Sequence, residues 1–242
     1  MTQLLVSAKN VEEAMLLAEL GVDIIDLKDP NIGALGALDL TLTQEIVNAV
    51  AGRAVISATV GEHHADLTAL LNAINARAAL GIDIIKIAVN ANMLNAAFIK
   101  AAQALAAHGI QLVAVMFADA AVDESALKII KQAGFCGVML DTQNKAFSLT
   151  EIVTNKSLQS FVIACEKNHL KCGLAGSLKP QYLESLLALK TTYLGFRGGV
   201  CDEAVRNRAI NSSKVATLRN MLLKHNKISN KAHQSMYLAL HT

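Results

Sequence analysis

The chain of 242 residues has no tryptophan, only two prolines and 4% aromatic residues. An antiparallel sandwich needs turn signals at short intervals, so this scarcity argues for a parallel sheet covered by helices. No basic run is interleaved with aromatics and the formal net charge is only +2, which removes the usual footprint of a nucleic-acid binder and leaves anionic small molecules open. No apolar stretch reaches the roughly 18 residues of a membrane span. A strand-like segment at 4–7 comes too early for a secretory leader, so a cytoplasmic protein without membrane contact is expected. Cys136, Cys165, Cys172 and Cys201 form no CxxC pair or zinc-like spacing and read as reduced, structural thiols. His63-His64 lacks an acidic-histidine pattern around it, so neither a metal nor a cofactor is expected.

What is abundant is apolar sequence, 53% of the chain, enough for one large core at a length ordinary for a single α/β barrel. Short apolar runs alternate with amphipathic stretches. The runs predict strands at 4–7, 23–28, 54–60, 83–89, 111–117, 137–141, 171–175 and 193–197. Helices are expected at 11–20, 41–50, 67–80, 95–108, 124–133, 158–169, 180–189 and 215–223. Eight such units fit a single (β/α)8 TIM barrel over 1–225, with 226–242 left as a C-terminal tail of unknown role. A doubly wound sheet is the alternative, but no GxGxxG follows the first strand.

One phrase occurs twice, as Gly21-Val22-Asp23-Ile24-Ile25-Asp26-Leu27-Lys28 and as Gly81-Ile82-Asp83-Ile84-Ile85-Lys86-Ile87. Both are β-branched runs, read as buried parallel strands, and both carry a lysine. An ammonium is costly to bury unless it is paired or loses its proton, and lysines with lowered pKa serve as nucleophiles and bases. Alternation puts Asp26 and Lys28 on one face. Aligning the strands by their preceding glycines brings Lys86 level with Asp26 and Asp141 level with Lys28. If that face is the lumen, two lysines and two carboxylates converge near the mouth, where barrels carry their active sites.

Lys28, before the Asp29-Pro30-Asn31 turn, is a candidate for a Schiff base with a carbonyl substrate, or else a loop lysine. Lys86, among isoleucines, is either a nucleophile or base or half of a structural ion pair with Asp26 or Asp141. Asp119 and Lys145 occupy strand-to-helix loops, where charged groups are catalytic or simply solvated. The Gly176-Ser177 turn and Arg197-Gly198-Gly199 follow the seventh and eighth strands. These loops commonly build a phosphate pocket, in which Arg197 would neutralise the anion. Arg206-Asn207-Arg208 caps the mouth or serves a subunit contact.

These phrases, together with Leu4-Leu5-Val6-Ser7, Asp29-Pro30, Gly33-Ala34-Leu35-Gly36-Ala37, Met139-Leu140-Asp141-Thr142 and Ala175-Gly176-Ser177-Leu178, resemble the (5-formylfuran-3-yl)methyl phosphate synthase family from residue 4 to about 214. The resemblance implies a barrel lyase of methanofuran-type cofactor biosynthesis that condenses two glyceraldehyde 3-phosphates, releasing phosphate and water. It implies Lys28 as the Schiff-base lysine and Lys86 as the proton-transferring one. Lys145, Asp26, Asp119 and Asp141 would be their companions, and Gly176, Ser177, Arg197, Gly198 and Gly199 the phosphate contacts. The segment 199–204 is more acidic and less glycine-rich than that family leads one to expect, and 224–242 has no counterpart in it. A Schiff-base aldolase acting on a sugar phosphate and a non-catalytic barrel scaffold are the rival readings. Triose phosphates are the expected small-molecule partners, and apolar helix faces suggest a homo-oligomer.

Overall fold

The computed structural model describes residues 1–119 and 125–240. Eight parallel strands, β1 (Gln3–Ala8), β2 (Ile24–Leu27), β3 (Val55–Thr59), β4 (Ile84–Ala88), β5 (Gln111–Phe117), β6 (Gly137–Asp141), β7 (Lys171–Leu174) and β8 (Tyr193–Phe196), close into a barrel in chain order. The expected (β/α)8 barrel is the observed one, with β8 pairing β1 through Leu4 and Leu194.

Helices α1 (Val11–Glu19), α2 (Leu40–Val50), α3 (Leu67–Ala79), α4 (Ala96–Ala107) and α5 (Ser125–Gln132) follow the first, second, third, fourth and fifth strands. Position 124, where a helix was expected to begin, lies outside the described residues. Then come α6 (Leu149–Ile152), α7 (Asn155–Lys167), α8 (Leu183–Ala188) and α9 (Ser212–Leu240). Polar caps start many of them: the side chains of Asn10, Asp39, Asp66, Asn95 and Thr154 each accept the backbone N–H three residues on, satisfying donors the helix leaves unpaired.

Two elements depart from the sequence expectation. The short α6 is too brief to show periodicity, and Glu151 builds it through a capping box with Ser148. The final helix runs on to Leu240 and so passes position 226. Apolar periodicity fades in the polar stretch 224–227, but Asn226 holds the first strand, accepting from Thr2 N at 3.1 Å and donating to Thr2 O at 2.9 Å.

The doubled phrase has a structural use. Gly21 and Gly81 take positive φ, +68° and +83°, where a side chain would be strained. Two residues on, Asp23 accepts Leu4 N at 2.8 Å and Asp83 accepts Ile56 N at 2.7 Å. Each aspartate thus satisfies an N–H near the start of the preceding strand.

Outward strand residues pack with the helices into the main core, while Leu5, Ile24, Val113, Val115, Met139 and Tyr193 fill the lumen. The barrel interior is therefore packed below and polar only above, at the C-terminal ends of the strands. Gly173 makes room in this layer, because a Cβ there would overlap the Tyr193 ring.

Candidate active site

Above the apolar layer lies a cavity of about 670 Å³ bordered by Asp26, Lys28, Lys86, Asp141, Lys145 and the loops after β7 and β8. Asp26 and Lys86 are almost completely buried, at 1% and 2% exposure, and their charged atoms are 2.6 Å apart. Ser57 Oγ donates to Asp26 Oδ1 at 2.8 Å and Ser7 Oγ to Oδ2 at 3.1 Å. Burial pushes the Asp26 carboxyl up, but Lys86, Lys28 and the Ser57 hydroxyl outweigh it and hold the pKa below the ordinary value. The two serines were missed in the sequence, although polar residues at lumen-facing places near strand ends were a usable signal.

Asp141 ends β6 and pairs with Lys145 at 2.6 Å, one helical turn's worth of chain away. Thr142 N also donates to Asp141 Oδ1 at 2.7 Å, and Lys145 Nζ donates to Thr142 O. Burial again raises the carboxyl, and Lys145 with Lys28 brings it below normal.

Lys28 differs from both paired lysines. It is 8% exposed, and among the described residues its Nζ makes no hydrogen bond or ion pair. Burial, helped by Lys145 and Lys86, lowers its pKa to about 8 against the opposing pull of Asp141 and Asp26. An amine so placed is free to attack a carbonyl.

Gly176 and Ser177 border the cavity with positive φ, +105° and +46°. A Cβ on Gly176 would come within 2.8 Å of Thr142 N, so glycine permits that close approach. Ser177 Oγ donates to Lys145 O at 2.9 Å and so steadies the lysine's loop. Gly198 and Gly199 open a short 3-10 turn, also at the cavity wall.

Two expected site residues are used otherwise. Asp119 does not border the cavity; its oxygens accept Gln143 N at 2.5 Å and Asn144 N at 2.9 Å, tying down the loop after β6. Arg197 borders the cavity, but its five N–H groups are all committed. Nε donates to Arg206 O; Nη1 donates to Ser7 O and Glu13; Nη2 donates to Glu13 Oε1 at 3.1 Å and to Arg208 O. The guanidinium is a fastener between β8, β1 and α1, which leaves it no donor for a phosphate. Glu13 was invisible as a partner in the sequence, 184 residues away.

His63 and His64 line a second cavity of about 410 Å³ with Glu62, Asp66 and Asn92, outside the lysine cluster. Among the described residues, no group of three or more His, Cys, Asp or Glu could hold a metal ion. All four cysteines are free thiols. No described helix is long and apolar enough to cross a membrane.

Fold and site define a (β/α)8-barrel enzyme with its polar centre, a cluster of lysines and aspartates, at the C-terminal mouth. Within that class the chain belongs to the 4-HFC-P synthase family, whose model matches residues 4–219. A Methylorubrum extorquens protein, provisionally named (5-formylfuran-3-yl)methyl phosphate synthase, is 40% identical over 88% of this chain and 89% of its own. The Methanococcus aeolicus (5-formylfuran-3-yl)methyl phosphate synthase is 34% identical over 84% of this chain and 92% of its own. Among solved structures, phosphoribosyl anthranilate isomerase from Thermus thermophilus superposes with a TM-score of 0.68 at 12% identity, covering 92% of this chain and 99% of that one. That likeness concerns the fold alone.

Proposed function

We propose that this protein is a (5-formylfuran-3-yl)methyl phosphate synthase that condenses two molecules of glyceraldehyde 3-phosphate through a Schiff base on Lys28. By atom balance the product forms with loss of one phosphate and two waters. The observation that carries the reading is Lys28 itself: buried in the lumen, lowered to about 8 and without a hydrogen bond among the described residues. Family membership supports the same reaction.

The chemistry follows from these positions. One triose phosphate is isomerised through an enediol, and the Lys86–Asp26 pair at 2.6 Å moves the proton between its carbons. Neutral Lys28 Nζ attacks the aldehyde of the other triose phosphate, and loss of water leaves an iminium that acidifies the adjacent carbon. Deprotonation there expels the phosphate from the third carbon and leaves an enol. Its terminal carbon attacks the carbonyl carbon of the ketone, which gives the branched skeleton that a furan substituted at positions 3 and 5 requires. The Lys145–Asp141 pair at 2.6 Å stands ready to donate and take protons as the ketose hydroxyl closes the ring and two waters are eliminated, after which water hydrolyses the iminium and frees the aldehyde and Lys28. Ring formation draws these eliminations to completion, because the furan gained is aromatic. The remaining cavity cations offset the charge of two phosphate esters, each about −1.5 to −2 near neutral pH.

The test is incubation with glyceraldehyde 3-phosphate followed by mass spectrometry. A furan aldehyde phosphate appearing with free phosphate, and a borohydride-trapped adduct on Lys28, is the expected result. A hexose bisphosphate without free phosphate would instead identify a Schiff-base aldolase, and unchanged substrate a non-catalytic barrel.

A further inference from the structure

Seven cationic side chains border the large cavity: Lys28, Lys86, Lys145, Lys179, Arg197, Arg206 and Lys214. Most are occupied. Lys86, Lys145, Lys179 and Arg197 pair with Asp26, Asp141, Glu151 and Glu13, and Lys214 Nζ donates to Cys201 O at 2.6 Å.

Arg206 is different. Its Nη2 donates to Gly33 O at 2.9 Å, and among the described residues its other four N–H groups meet no protein acceptor. The side chain is half-buried at the cavity wall. The carboxylates that act on it are otherwise engaged: Asp141 by Lys145 and Thr142 N, Glu62 by Ala34 N and Leu35 N, and Asp29 by Asn31 N. A guanidinium with spare donors in a fork suits an anion better than a solvated lysine would.

Its position matters as much as its donors. Arg206 leaves the loop after β8 and reaches the loop after β2, the segment that directly follows Lys28. Lys9 Nζ, just past β1, fixes the same outgoing loop by donating to Asn207 O at 2.6 Å. The Arg206 side chain thus bridges from beside Gly198 to the loop after β2, whereas Gly176 and Ser177 follow β7.

We propose that Arg206, whose backbone lies beside Gly198 while its side chain reaches Gly33, is the docking residue for the phosphate of one of the two triose phosphates, at a station separate from the Gly176-Ser177 loop. This rests on the two-substrate reading above. Two phosphate esters cannot share one anion site without strong repulsion, so the cavity needs a second cationic station, and Arg206 supplies one beside the loop that follows Lys28. The contact with Gly33 O means that a phosphate on Arg206 also steadies the loop next to the nucleophile.

The experiment titrates inorganic phosphate into the full-length protein by calorimetry, comparing wild type with R206M and R206K. Two phosphates binding wild type and one binding R206M, with R206K at least threefold weaker at the lost site, is the expected pattern. In parallel, KM for glyceraldehyde 3-phosphate rises at least tenfold in R206M. Borohydride trapping of phosphate-free glyceraldehyde on Lys28 stays within twofold of wild type. Unchanged phosphate stoichiometry and affinity in R206M overturns the proposal even if wild type makes the furan. Equal loss of trapping with glyceraldehyde and with its phosphate, at unchanged phosphate binding, also overturns it and leaves Arg206 a loop latch. Should R206M not fold, R206K alone decides by the same titration. If wild type makes no furan while R206M loses one phosphate, the station stands and the reaction assignment falls.

Discussion

Burial lowers the Lys28 ammonium from 10.5 to about 8, and two opposite consequences follow. At pH 7 about a tenth of the amines are neutral, against well under a thousandth for an unperturbed lysine. The rate of borohydride trapping therefore rises with pH and levels off above about pH 8. A trapping rate still climbing steeply at pH 9.5 would mean the amine is not perturbed. For stability the sign is reversed. The unfolded lysine holds its proton up to about 10.5 while the folded one releases it near 8, so the cost is full below 8 and disappears as pH rises towards 10.5. That cost is on the order of 3 kcal/mol. Replacing Lys28 by Met should stabilise the fold at pH 7 by roughly 1–3 kcal/mol in urea unfolding. Lys28→Arg should abolish turnover with the charge retained, and an active K28R enzyme would remove the covalent role. Asp26→Asn strands the buried Lys86 charge and should cost about 3–5 kcal/mol.

Among the loops, the segment from Asp29 to Leu38 carries the nucleophile's neighbourhood and has little regular structure to hold it. Asp29 N donates to Gly36 O at 2.9 Å, and Glu62, from the loop after β3, accepts from Ala34 N and from Leu35 N, the latter at 2.7 Å. Glu62→Ala removes a charged acceptor from these amides, a loss of about 1.5–3 kcal/mol. Faster hydrogen exchange at Ala34 and Leu35 and a turnover lowered about tenfold are expected. Unaltered exchange there would show that the turn holds itself. The strands themselves were largely legible: Gln111–Phe117 and Gly137–Asp141 have the expected bounds, because buried parallel strands read as unbroken apolar runs. Helix α6, four residues long, was not legible because no period fits within it.

The whole molecule depends on closing its ends. Thr2 and Asn226 exchange two hydrogen bonds, and Arg219 Nε donates to Gly21 O at 2.7 Å, so α9 fastens the start of the barrel. Asn226→Ala should lower stability by about 1–3 kcal/mol, seen as a lower Tm with trapping at Lys28 retained at room temperature. The two buried carboxylates give the barrel an acid limit. Asp26 and Asp141 are both held below 3.8, so their contribution is complete above that value and is lost as pH falls through their lower folded values. Acid unfolding should begin below about pH 4, and D141N, less stable at neutral pH, should lose stability more gradually on acidification; an unchanged slope would show that this carboxylate contributes nothing.

Composition and periodicity were enough to favour the barrel and to set Asp26, Lys28, Lys86 and Asp141 level near strand ends, because these are consequences of local alternation repeated along the chain. Which lysine is free was decided only by the tertiary structure. Lys86 and Lys145 meet carboxylates at 2.6 Å while Lys28 does not, a matter of side-chain reach across the lumen. The same holds for Arg197, absorbed by a glutamate 184 residues away, for Asp119, turned to a neighbouring loop, and for Arg206, aimed at the turn beyond Lys28. A charged side chain's partner depends on distances in the closed barrel, and no period along the chain encodes them.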